Sequence, residues 1–231
     1  MRPRTELAIA AGVFVALAAI AGGVGARGAR LSDTDQRRST FLAGPGGARA
    51  WADALERLGI AVERFRRPPA AFDTLSPTGT LVAFLGPSSA LTAREGVTVA
   101  RLRSDLLLAG PGARAAIRCF GYDLRLRVRD SLAMVPPPGA ERLPLPYARA
   151  ELVRRSSDVA VDSTDGEDGA PVTCTAPTAR RVDTLLRARG GSALALRASL
   201  DDGRRVVLVA DDRLFANRAL RETGAGPLAL G

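Results

Sequence analysis

The sequence of 231 residues contains no histidine and no lysine, and only two cysteines. Without histidine there is no Ser-His-Asp or Cys-His nucleophilic site, no His-ligated zinc and no haem on a proximal histidine. Two thiols cannot build a four-thiolate metal centre. Aromatic residues are scarce at 4%, so an interior must be assembled from Ala, Val and Leu. The apolar and charged fractions, 46% and 25%, are those of an ordinary folded chain. The length fits one globular domain with an appendage better than two full domains. No residue pattern names a reaction, and neither a metal nor a cofactor is expected.

All 33 basic residues are arginines, and the formal charge is +9. A basic chain raises the question of a nucleic-acid partner. Arginine without lysine, beside abundant Ala, Gly and Pro, is also what GC-rich coding produces. The arginines are interleaved with acids, as in Glu63-Arg64-Phe65-Arg66-Arg67 and Asp201-Asp202-Gly203-Arg204-Arg205. No helix-turn-helix, aromatic RNA-binding strand or zinc-finger spacing accompanies them. The charge therefore reads as a solvated basic surface, and nucleic acid is not expected as a partner.

Leu7 to Ala26 is an uncharged run of 20 residues. As a helix it would span about 30 Å, the thickness of the bilayer hydrocarbon. A short basic start, Met1-Arg2-Pro3-Arg4, precedes it as in a signal sequence. Its length favours an uncleaved anchor, while Val24-Gly25-Ala26 has the small residues of a cleavage site. The expectation is a single-pass anchor. Arg2 and Arg4 argue for an extracytoplasmic domain; Arg27, Arg30, Arg37 and Arg38 pull the other way. The signal-like start decides for the extracytoplasmic side.

Residues 27–38 read as a linker and 39–231 as one α/β domain. Ser39 to Leu42 is a candidate strand ahead of the glycine-rich turn Gly44-Pro45-Gly46-Gly47. Ala48, Trp51, Ala52, Leu55 and Leu58 share one helical face, and Gly59 ends the helix. Further strands are expected at Ile60–Phe65, Thr80–Leu85 and Asp105–Ala109, with helices at Leu91–Arg103 and Ala113–Phe120. Ser192–Leu200 and Arg204–Ala210 form a hairpin around Asp202-Gly203, followed by a helix at Leu214–Arg221. This alternation predicts a doubly wound, mostly parallel sheet. Residues 122–190, Pro-rich and then acidic, read as an irregular insertion, with Val159–Val161 and Val172–Cys174 as a candidate strand pair.

Two segments carry a family resemblance. One is Ser39-Thr40-Phe41 with Gly44-Pro45-Gly46-Gly47-Ala48-Arg49-Ala50 and the run to Leu58-Gly59. The other is Arg205-Val206-Val207-Leu208-Val209-Ala210-Asp211-Asp212 with Leu214-Phe215 and Asn217. With the apolar span ahead of them, they resemble the bacterial family called domain of unknown function 4350. The resemblance implies a fold similar to the class I glutamine amidotransferase or flavodoxin-like sandwich, lacking a catalytic triad. It also implies membrane attachment and protein partners in an envelope system that includes an AAA-type ATPase. The chain departs from the family at Arg103-Ser104-Asp105, where a Gly-Gly pair is usual. Family members also continue past the last helix into a further strand and a second span.

Several constellations are candidates for binding. The Gly44, Gly46 and Gly47 turn before a helix could cradle an anion with Arg49 assisting, or could be a plain strand-to-helix turn. Ser88 follows a strand at the sheet's carboxyl edge, where α/β ligands bind, and equally suits a helix cap. Asp211, Asp212 and Asn217 leave the strand Val206–Ala210 at that edge, as cation and ligand groups or as an N-cap and a structural hydrogen-bonder. Cys119 and Cys174 would close a long loop as a disulfide if the domain is exported. No catalytic residue is identified. The reading is a non-catalytic binding or scaffolding domain, with a ligand-sensing or hydrolase-like role for the Asp211, Asp212 and Gly44–Gly47 edge as the alternative.

Overall fold

The structure, a computed structural model, describes residues 39–65, 68–72, 79–86, 89–127, 132–135, 147–155, 174, 178–223 and 225–230. The apolar run 7–26, the linker 27–38 and, Cys174 apart, the candidate pair 159–161 and 172–174 lie outside them. Among the described residues, no helix is long and apolar enough to cross a membrane.

The elements are α1 (Arg49–Arg57), β1 (Leu81–Leu85), α2 (Ala93–Ala100), β2 (Asp105–Ala109), α3 (Arg114–Cys119), β3 (Tyr122–Leu126), β4 (Met134–Val135), β5 (Ala150–Arg154), β6 (Ala179–Ala188), β7 (Ala193–Leu200), β8 (Arg205–Val209), α4 (Asn217–Glu222) and α5 (Ala225–Leu230). Short 3₁₀ turns at Pro111–Ala113 and Asp212–Phe215 lead into α3 and toward α4. Ser39–Leu42 is a turn rather than the expected strand, closed by the Leu42 N–H donating to the Ser39 carbonyl at 3.0 Å. Ile60–Phe65 alternates in sequence yet forms no strand. Ile60 is half exposed, so no sheet face holds it.

Among the described residues, eight strands form one sheet, in the order β1-β2-β8-β7-β5-β3, with β6 on β7 and β4 on β6. Only β1 with β2 and β2 with β8 run parallel. Every other pairing is antiparallel, so the expected doubly wound, mostly parallel sheet is corrected to a mixed, mostly antiparallel one. Two features cause the difference. The tight Asp202-Gly203 turn, with Gly203 at φ 86°, folds β8 back against β7. The stretch 122–190, expected to be irregular, supplies β3, β4, β5 and β6.

The parallel strands carry the core because both their faces are covered. On β2, Leu106 and Leu108 pack with Val99, Ala116 and Ile117 of α2 and α3. Leu107 and Ala109 point the other way, toward Trp51, Phe215 and Ala219. The single tryptophan anchors that second layer. Its ring meets Phe215 edge-on at 5.4 Å, and Nε1 donates to the Ala229 carbonyl at 2.9 Å. Helix α2 starts with a reciprocal cap: the Glu95 N–H donates to Thr92 Oγ1, and the Thr92 N–H to Glu95 Oε2. Arg204, next to the β7–β8 turn, donates to the Ala100 and Leu102 carbonyls and so closes the other end of α2.

Candidate functional site

Helix α1 begins without a cap of its own, since Ala48 at the N-cap offers no side-chain acceptor. The missing acceptor arrives from the far end of the chain. Asn217 Oδ1 accepts the Ala50 N–H at 2.7 Å, the bond that a Ser or Asp N-cap normally makes. Its Nδ2 donates to the carbonyls of Gly44 at 2.7 Å and Leu42 at 3.0 Å. Its backbone N–H donates to the Gly47 carbonyl, and that of Arg218 to the Pro45 carbonyl. At 1% exposure, Asn217 thus fixes the whole Gly44–Gly47 turn against the start of α4.

The donors an anion would need in this turn are engaged inside the fold. The Gly47 N–H goes to Gly44, that of Ala48 to Ser39, that of Arg49 to Leu42, and that of Ala50 to Asn217. A Cβ on Gly47 would collide with the Leu42 backbone, which explains the glycine by close packing. The Arg49 side chain turns along its own helix to Asp53 at 3.5 Å.

At the end of β8, Asp211 is 5% exposed and fully partnered. Its Oδ2 accepts the Arg149 N–H at 2.7 Å and Arg213 Nη2 at 2.5 Å. Its Oδ1 accepts the Arg213 N–H at 3.0 Å and Arg213 Nε at 2.9 Å. Burial pushes this carboxyl up, but the Arg213 guanidinium and the two backbone N–H groups outweigh it and hold the group below its ordinary value. Asp211 therefore caps the 3₁₀ turn and pins the approach to β5. Asp212 lies against Gly110, whose φ of 77° and whose contact with the Asp212 side chain leave no room for a Cβ. Ser88 lies outside the described residues.

The structure thus joins Gly44, Gly47 and Asn217 at one place, with Arg49 beside them, while Asp211 faces Arg149 and Arg213. A shallow groove of about 380 Å³ runs between α1 and α4, bordered by Arg49, Asp53, Arg57, Asn217 and Arg221. Among the described residues, no group of three or more His, Cys, Asp or Glu could hold a metal ion.

Two ionic clusters escaped the sequence reading. Glu151 on β5, 2% exposed, pairs with Arg127 at 2.7 Å and Arg125 at 3.4 Å. The Ser192 hydroxyl and these arginines hold its carboxyl below the ordinary value against the opposing effect of burial. Asp123 on β3 accepts from Arg114 Nε at 2.6 Å, from Arg118 Nη2 at 3.0 Å and from the Leu124 N–H. Their signal in the sequence was the alternation Asp123-Leu124-Arg125-Leu126-Arg127 opposite Glu151. Cys119 at the end of α3 is disulfide-bonded to Cys174, against Val97 and Ala100 of α2.

The family model described as "Domain of unknown function (DUF4350)" matches residues 40–231. No curated protein matches the chain. A solved structure described as "mmIFT52 N-terminal domain" is similar at 11% identity and a TM-score of 0.40, over 78% of this chain and 91% of that one.

Proposed function

From the premise that the chain belongs to the family domain of unknown function 4350, we propose that it is a non-catalytic binding domain, held at a membrane by residues 7–26 and working outside the cytoplasm. One observation carries this reading. The polar groups at the carboxyl edge that could serve chemistry, Asn217 and Asp211 above all, have their hydrogen-bonding capacity engaged within the fold. A catalytic or ligand-binding edge keeps donors and acceptors available for the ligand. The Cys119–Cys174 bond supports the extracytoplasmic side, because such bonds persist in oxidising compartments. The partners we propose are proteins of an envelope system that includes an AAA-type ATPase.

The test is thermal melting of the full chain in detergent micelles against nucleotides, sugar phosphates, inorganic phosphate and divalent ions. No shift is expected with any of them. A saturable shift that Asp211→Ala removes, in a variant that still melts cooperatively, would favour the ligand-sensing alternative and overturn the reading.

A further inference from the structure

We draw no further inference here: the strongest candidate, the groove between α1 and α4 bordered by Arg49, Arg57 and Arg221, carries none, since Arg57 and Arg221 stand in the last turns of those helices, where the helix dipole already accounts for a cation, and nothing in the structure shows what covers the groove.

Discussion

Asn217 is the only asparagine in the sequence, and it replaces a missing local cap from 167 residues away. Removing the amide takes the acceptor from the Ala50 N–H and one of two donors from each of the Leu42 and Gly44 carbonyls. Each buried bond is worth roughly 1 kcal/mol net, so Asn217→Ala should cost about 3 kcal/mol in urea denaturation. Asn217→Asp should cost a similar amount, because a carboxylate cannot donate to the two carbonyls. Asp123 supplies the acid response. Burial raises its carboxyl, but Arg114, Arg118 and the Leu124 N–H lower it more, leaving the group well below its ordinary value. A depressed folded value means the contribution is present above the unfolded pKa, roughly 4, and is lost as pH falls below it. Melting temperature against pH should therefore drop below about pH 4, and the drop should be shallower in Asp123→Asn. That Asn217 and Asp211 matter was legible from the sequence. That they serve the fold, Asp211 as a cap and Asn217 as a structural hydrogen-bonder, stood level with a ligand role in the sequence, because the partners that decide it, Leu42, Gly44, Ala50 and Arg149, are backbone groups brought together only by the tertiary structure.

Among elements, those that hide an apolar face were readable. Strand β2 was expected over Asp105–Ala109 and is found there, since a run of Leu and Ala between Gly/Pro turns admits little else. Helices α1, α2 and α3, the strand β1 and the β7–β8 hairpin also lie within a few residues of expectation. Strand β6 was not readable. Its inward partner is another strand rather than a core, and Ala179–Val182 are all exposed, so no alternation marks it. Strands β3 and β5 hide their register in charge, Arg125 and Arg127 flanking Glu151, which reads as loop. Ile60–Phe65 fails the other way, with alternation but no strand paired to it among the described residues. The packing of α2 on α3 gives the prediction at this scale. A Cβ on Gly96 would come within 2.7 Å of the Ala115 carbonyl carbon and 2.9 Å of the Ala116 nitrogen. Backbone cannot rotate away, so Gly96→Ala should destabilise by about 1–3 kcal/mol despite its gain in helix propensity, as measured by denaturant titration.

For the whole molecule, one covalent bond links the fold to its place in the cell. Cys119 and Cys174 enclose a sequence separation of 55 residues, and the bond ties the far end of that loop to the α2–α3 layer. In the chain-entropy model a loop of this length contributes roughly 4 kcal/mol, an upper value because strain and residual structure subtract from it. Replacing both cysteines by serine should therefore lower the unfolding free energy by about 2–4 kcal/mol in denaturant titrations. The same bond separates the compartments, since a reducing cytoplasm would keep both thiols free. The most direct test is thiol trapping in the host cell, by acid quench followed by alkylation with a mass-shifting maleimide under denaturing conditions. An extracytoplasmic binding domain predicts that neither cysteine is labelled until a reductant is added, after which both are. Labelling of both cysteines without reductant would put the domain in the cytoplasm and contradict the account.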